Sequence, residues 1–274
     1  MLTDTQAREA LHVLVLRRLR DEARPGAFVL KGGVNLRLFF GSPRYSEDMD
    51  LDSDAANSFA LRQSLSEIIG SSWLDARLRS LGLEGVEYSG RPAKNTDTTF
   101  RIKMRVLNGG GIRLPTKVEV SMRGRPASDH VAEDPADAGV ARTYGVEDVG
   151  PLALPHYPVN PATRQKIGAL AGRATPEARD VFDLHVLAQG DLAKVDASYL
   201  RRWLSSDSLK LARERVWAFD YPAFLDQVAE FLGESDRARF ATRDAWETQQ
   251  LFVSEMIDAI LALPQPDLPA GSDR

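Results

Sequence analysis

The residues best suited to chemistry fall in one run, Lys31 to Asp52 (KGGVNLRLFFGSPRYSEDMDLD). Its end, Asp48-Met49-Asp50-Leu51-Asp52, alternates acidic and apolar residues as a strand does, and residues two apart in a strand share a face. Asp48 and Asp50 therefore project together. Two carboxylates at that spacing can hold Mg²⁺ (or Mn²⁺) against the phosphates of an NTP, and a pair of such ions ~4 Å apart can stabilise both the attacking and the leaving oxygen. The run opens with Lys31-Gly32-Gly33, after apolar Phe28, Val29 and Leu30 and before a helix-like stretch carrying Val34, Leu36, Leu38, Phe39 and Phe40. Glycines there allow close backbone approach, and a helix starting there aims N–H groups at a phosphate. The layout suggests metal-assisted phosphoryl or nucleotidyl transfer. Taken singly, an Asp-x-Asp is commonly a solvated strand end and a Gly-Gly a turn. It is the order strand, Gly-Gly, helix, turn at Gly41-Ser42-Pro43, acidic strand that favours a site.

Further candidates lie downstream. Glu119 alternates with Val118 and Val120 in a strand-like run. It is either a surface residue opposite a cation on the next strand or a third acidic group beside Asp48 and Asp50. From Arg101 to Arg125 the chain carries Arg101, Lys103, Arg105, Arg113, Lys117, Arg123 and Arg125. This basic stretch is either a solvated sheet face or a phosphate-backbone track for RNA. Lys166 borders an apolar helical stripe, and long lysines do so routinely; its functional reading is a contact to an NTP phosphate, with Arg173 as a second. On the next predicted helix Asp180 and Asp183 are three apart and share a face. Arg179 and Asp183, four apart, could simply pair on the surface. His12, His130, His156 and His185 form no metal-ligand spacing.

Composition bounds the class. The chain has 274 residues, a hydrophobic fraction of 43%, a net charge of −4 and no cysteine. That allows one large domain or two modest ones with a real core, and rules out disulfides and cysteine-based metal sites. No signal peptide and no membrane-spanning run is expected, so the expected location is the cytoplasm. The acidic balance excludes a globally basic nucleic-acid binder; any such contact must be a local patch.

The elements that must position these residues read as follows. Residues 3–23 form an amphipathic helix capped by Thr3 or Asp4, with Ala7, Leu11, Leu14, Val15 and Leu19 on one face and Arg17, Arg18 and Arg20 mostly elsewhere. Residues 57–80 are helical, capped by Asn57 or Ser58 and broken near Gly70-Ser71-Ser72. Strands follow at 86–88, 98–107 and 112–121, the last two joined by a hairpin turn at Asn108-Gly109-Gly110-Gly111. Proline-rich residues 126–160 read as irregular, with one short strand at 149–154. Helices follow near 196–204, 207–217, 222–232 and 236–262. The division is residues 1–155 for an α/β core, 156–263 for a helical domain and 264–274 for a disordered tail.

With those residues in place, the chain resembles the AbiEii/MenT-type nucleotidyltransferase toxins, a branch of the DNA-polymerase-β-like superfamily. The matching parts are KGGVNL, RYSEDMDLD, the VEVS strand, and Lys166 followed by RDVFDL, over roughly residues 28–187. The resemblance implies an α+β fold: a polymerase-β-like core with a mixed sheet, then a helical bundle. It implies a toxin that moves a nucleoside monophosphate from an NTP, often a pyrimidine triphosphate, to the 3′ end of tRNA, blocking translation, and that is encoded with an antitoxin. It implies catalytic roles for Asp48, Asp50, Lys166 and Asp183 or Asp180, with Asp48, Asp50 and less securely Glu119 as metal ligands. Lys31, Gly32, Gly33, Ser46 and Arg173 would be the phosphate and nucleotide contacts, and the lysine and the metal pair would face each other across a cleft. Some antitoxins of the group phosphorylate the residue corresponding to Ser46, which would add about 1.5–2 negative charges beside the metal site. The wider superfamily usually has Gly-Ser where this chain, as in this branch, has Gly32-Gly33, so no hydroxyl contact to the phosphate is expected there. The alternatives are a protein or small-molecule acceptor, and a non-catalytic binding module on the same fold.

Overall fold

The computed structural model describes residues 2–90, 94–96, 98–124, 128–146, 150–189 and 195–266. The chain divides into two compact units, Met1–Phe39 with Tyr45–Tyr157, and Phe40–Arg44 with Pro158–Arg274. The expected break at 155/156 is thus met by a division at 157/158, and a short segment from the opening run belongs with the helices. Arg125, Val149 and the tail from residue 267 lie outside the described residues.

The first unit is a mixed sheet with helices. Helix α1 (Asp4–Glu22) is capped by Thr3, whose side chain accepts from the Gln6 amide while the Gln6 side chain accepts from the Thr3 amide. This reciprocal pairing satisfies two otherwise orphaned amides. The helix packs on α3 (Ala55–Ile69), α4 (Ser72–Ser80) and the hairpin strands β5 (Thr99–Leu107) and β6 (Arg113–Ser121). It is buried on more than one face: Ala10, Val13 and Leu16 join the expected stripe, and Glu9, His12 and Arg17 are buried too. Arg17 therefore does not lie outside the core. The cap of α3 is Asp54, not Asn57 or Ser58; the break falls at Gly70, and Ser71 caps α4.

Strand order is β3 (Gly85–Tyr88), β5, β6, β2 (Met49–Asp52), β1 (Val29–Lys31), β8 (Ala153–His156), β7 (Ala132–Pro135), with β4 (Lys94–Thr96) also on β5. Phe100, Ile102, Met104 and Val106 of β5 and Leu114, Val118 and Val120 of β6 are buried, so one face of the hairpin is core. The hairpin closes where the Asn108 side-chain oxygen accepts from the Gly110 and Ile112 amides and Gly111 takes φ +72°. Residues read as irregular supply β7, α5 (Ala138–Thr143) and β8. Strand β8 lies between β1 and β7, parallel to β1. The short strand expected at 149–154 is thus found as β8, at 153–156, while Pro135 conceals β7 in the sequence, because proline withdraws a ladder donor and ordinarily argues against a strand interior.

The second unit is helical: α6 (Val159–Gly172), α7 (Ala178–Gln189), α8 (Ala197–Trp203), α9 (Ser206–Val216), α10 (Tyr221–Gln227), α11 (Glu234–Phe240) and α12 (Arg243–Leu261). The expected helix over 236–262 is two, divided where Thr242 caps α12. The expected helix over 222–232 ends at Gln227 and gives way to a short 3₁₀ turn, Ala229–Phe231. The core joins Ile167 and Leu170 of α6, Val181, Phe182 and Leu184 of α7, Ala212 of α9, and Trp246, Val253 and Ile257 of α12. The Arg44 backbone forms an isolated antiparallel bridge with Leu232, which fixes the 40–44 segment within this unit.

Candidate active site

In the first unit the site is built at the junction of β1, α2 (Gly32–Phe39) and β2. Strand β1 runs directly into α2 with no loop, and Gly32 supplies the turn at φ +70°. A Cβ at this position would sit 2.6 Å from Asp50 Oδ2, so both the conformation and the close approach require glycine. Gly33 is buried within the helix. Strand β2 is antiparallel to β1, with Lys31 opposite Asp50, and parallel to β6, with Asp50 beside Glu119.

Burial alternates along β2: Met49 and Leu51 are buried, Asp50 and Asp52 half-buried, and Asp48 is half-buried just before the strand. Asp50 and Asp52, two apart in the strand, share its half-buried face, and Asp48 stands in the bend just before it. Asp48, Asp52 and Glu119 each face a cation or a donor. Lys117 Nζ lies 2.5 Å from Asp48 Oδ2. Lys31 Nζ is 2.5 Å from Asp52 Oδ1, and the Tyr157 hydroxyl donates to Asp52 Oδ2 at 2.6 Å. Arg101 donates to Glu119 Oε2 through Nε at 2.7 Å and also through Nη2. Both readings of Glu119 are thus partly realised: it stands beside Asp50 in register, and it is opposite a cation on the next strand. Its carboxylate is committed to that cation.

The basic hairpin is not an open track. Arg113 Nε reaches Glu87 Oε1 at 2.9 Å and Arg105 lies 3.9 Å from the same carboxylate, while Lys117 and Arg101 are engaged as above. Lys103 stands directly opposite Lys117. The Ser46 hydroxyl donates to the Asp48 carbonyl at 2.8 Å. The adjacent Glu47 carbonyl accepts from Thr116 Oγ1 at 2.7 Å, and that hydroxyl is 2.8 Å from His12 Nε2. These bonds fix the backbone that carries Asp48.

In the second unit Lys166 of α6 meets both acids of α7. Its Nζ is 3.1 Å from Asp180 Oδ1 and 2.5 Å from Asp183 Oδ2. The two aspartate side chains are 0% exposed and Lys166 is 12% exposed. The surface pairing of Arg179 with Asp183 does not occur: Arg179 donates to Glu177 at 2.9 and 3.0 Å. Asp183 instead takes Arg44, which sequence reasoning missed. Arg44 Nε and Nη2 donate to Oδ1 at 3.2 and 3.1 Å, and Nη2 also reaches Oδ2 at 3.1 Å. Burial by itself would raise the Asp183 pKa, but the charges of Arg44 and Lys166 and their hydrogen bonds outweigh it and hold the carboxyl below its ordinary value. Arg173 pairs with Glu177, and its Nη1 lies 3.0 Å from Asp180 Oδ2, off the line of a hydrogen bond. No local spacing signals Arg44, which is 139 residues from Asp183. Asp52 was legible, since it continues the two-residue period of Asp48 and Asp50.

The donor set of the first unit fits a divalent ion. The oxygens are hard, they share a half-buried face, and Gly32 leaves Asp50 the space a Cβ would fill. Among the described residues no group of three or more histidines, aspartates and glutamates could hold a metal. A metal held here by Asp48 and Asp50 would take its further ligands from phosphates or water. A glycine-turned β1–α2 junction beside an acidic strand in a mixed sheet, with a helical unit that carries a buried lysine, defines a nucleotidyltransferase fold.

Comparison with known proteins agrees. The family described as nucleotidyl transferase AbiEii toxin, type IV toxin–antitoxin system, matches residues 14–254. The chain belongs to this family and is a nucleotidyltransferase toxin of a type IV toxin–antitoxin system; membership implies an NTP substrate and an antitoxin partner. Its fold is similar to MenT4, a nucleotidyltransferase toxin of Mycobacterium tuberculosis, at 19% identity and a TM-score of 0.56, covering 94% of this chain and 92% of that one. It is also similar to JHP933 of Helicobacter pylori, at 19% identity and a TM-score of 0.54, covering 95% and 93%. Comparison with curated proteins gives no significant match. Among the described residues no helix is long and apolar enough to cross a membrane.

Proposed function

We propose that the chain transfers a nucleoside monophosphate from an NTP to the 3′ end of tRNA with Mg²⁺, and so blocks translation. The observation that supports the reaction is the Asp50 carboxylate packed against the Gly32 turn, with Asp48 half-buried just before the same strand. Asp48 and Asp50 would hold the metal, which when bound screens the triphosphate and polarises its phosphorus–oxygen bonds. Lys31 and the amides near Gly32 and Gly33 would meet phosphate; for Lys166, with Arg173 near it, a phosphate contact rests on the family resemblance. An acceptor hydroxyl attacks the α-phosphorus and pyrophosphate leaves. The tRNA acceptor and the pyrimidine preference rest on the family resemblance alone. Ser46 is the proposed target of an antitoxin kinase: a phosphate there would put negative charge next to the Asp48 backbone and repel the NTP.

The test incubates the protein with each labelled NTP, Mg²⁺ and total tRNA. Label should enter RNA, Asp48→Ala should abolish it at least a hundredfold while far-UV circular dichroism is unchanged, and absence of label with all four nucleotides overturns the reading. A protein or small-molecule acceptor is the second reading. It is favoured by the internal pairing of Arg101, Arg105, Arg113 and Lys117, which reduces the charge the hairpin can offer RNA. Label on protein or on a small molecule in the same assay would establish it.

A further inference from the structure

We propose that Asp183 does not touch the reactants, and that it and Arg44 are positioning residues that act through Lys166 to present its ammonium group to a nucleotide phosphate. This rests on the nucleotidyl-transfer reading above.

Four charged side chains are removed from water together: Asp180 and Asp183, both fully buried, Arg44 at 4% and Lys166 at 12% exposure. Such a cluster is a poor way to stabilise a fold, because desolvating ions costs several kcal/mol each and apolar residues of equal size would serve as well. A specific geometry is the better account of it. Both oxygens of Asp183 are occupied, Oδ1 by two nitrogens of Arg44 and Oδ2 by Arg44 and Lys166. A general base needs reach to the proton it takes and a pKa near the working pH. Asp183 has neither, since it is enclosed and its carboxyl is held in the anionic form. Asp180 is equally enclosed and faces Lys166 and Arg173. The parts of this cluster with solvent access are Lys166 and the outer Arg173, which is 37% exposed.

Arg44 sets how firmly Lys166 is held. With both side chains in place, two buried acids face the buried Arg44 and the partly exposed Lys166, and Asp183 divides its charge between the Arg44 fork and Lys166. Without Arg44, the two acids face Lys166 with one compensating charge fewer, and its ammonium is drawn into them and away from an incoming phosphate. Without Asp183, Arg44 and Lys166 repel and Lys166 loses its orientation. Removing both Arg44 and Asp183 leaves Lys166 with Asp180, a neutral pair.

The test is a double-mutant cycle on the full chain, Arg44→Met, Asp183→Asn and the pair, with Arg44→Lys as the conservative variant. It is read by steady-state transfer for each NTP and by equilibrium binding of the same NTPs. Each single variant should raise KM and weaken NTP binding at least tenfold, with the larger part of the loss in KM rather than kcat. The double variant should be no worse than Asp183→Asn, and Arg44→Lys should recover more than half of the lost affinity on a logarithmic scale. A merely structural role would lower the active fraction and the Tm but leave KM and NTP affinity unchanged, and that result overturns the proposal. A double variant whose loss is the product of the single losses also overturns it, because Asp183 then acts independently of Arg44. If the wild type transfers nothing, the functional reading fails. The binding cycle then still decides this one: non-additive losses support it, additive or absent losses overturn it.

Discussion

His12 shows how a single residue far from the chemistry can carry part of its geometry. It is buried in α1, and its Nε2 meets the Thr116 hydroxyl, which in turn donates to the Glu47 carbonyl one residue before Asp48. Burial, reinforced by the nearby charge of Arg8, lowers its pKa from 6.5 to about 3. The folded protein therefore keeps His12 neutral across a range in which the unfolded chain protonates it. Below pH 6.5 the unfolded state binds the extra proton, so the contribution of His12 to stability is full above that value and declines as pH falls toward 3. The slope approaches about 1.4 kcal/mol per pH unit well inside that window. His185, lowered to about 4 by burial and by Arg239, and His156, lowered chiefly by burial, act in the same direction. Urea unfolding at pH 7.5, 6.0 and 5.0 checks this. His12→Asn should be less stable than wild type at pH 7.5 but should lose about 1 kcal/mol per unit less on acidification; equal slopes would show that His12 titrates normally.

At the scale of elements, the β1–α2 junction carries the clearest prediction. Gly32→Ala places a methyl group 2.6 Å from Asp50 Oδ2 and forces an L-residue to φ +70°. The conformation alone costs about 1–2 kcal/mol. Gly111→Ala, at φ +72° in the hairpin turn with no atom within 4 Å of its Cβ, is the matched control. Both variants should lose about 1–2 kcal/mol in urea unfolding, but only Gly32→Ala should also lose transfer, by at least tenfold. Equal activity in the two would mean that the Asp50 carboxylate tolerates displacement. This junction was legible in the sequence because its signals are local: a glycine at a strand end, a two-residue acidic period, a helical stripe. The hairpin was legible for the same reason. Strand β7 was not, and the short strand expected at 149–154 overlaps β8 only at residues 153 and 154, because Pro135 and Pro155 speak against the sheet that tertiary pairing nonetheless forms. The Arg44–Asp183 pair was not, because no periodicity connects positions so far apart, and the expected Arg179–Asp183 pair obeyed a helical spacing that burial of Asp183 overrode.

At the scale of the whole molecule, the balance of charge decides how strongly RNA can be held. The chain carries a net charge of −4, so attraction to a polyanion must come from a local patch, for which the hairpin is the candidate. Of Arg101, Lys103, Arg105, Arg113 and Lys117, four are engaged with Glu119, Glu87 or Asp48. Lys103 has no acidic partner among the described residues, and it stands opposite Lys117 in register. Each phosphate neutralised by a protein cation contributes about −0.7 to −0.9 to the slope of log K against log salt. Five uncommitted cations would give a slope near −4, and about a hundredfold or greater loss of tRNA affinity between 50 and 200 mM salt. With one uncommitted cation the slope is near −1 and the loss about fourfold. Fluorescence anisotropy of labelled tRNA without divalent metal distinguishes these, and the shallow slope is the expected result. Mg²⁺ with an NTP should steepen it, because a metal held by Asp48 would displace Lys117 from its partner and would leave two adjacent lysines, 103 and 117, to meet phosphate. Lys117→Gln should remove that steepening. A steep slope in the metal-free protein would instead show that the ion pairs of the hairpin open for RNA without help.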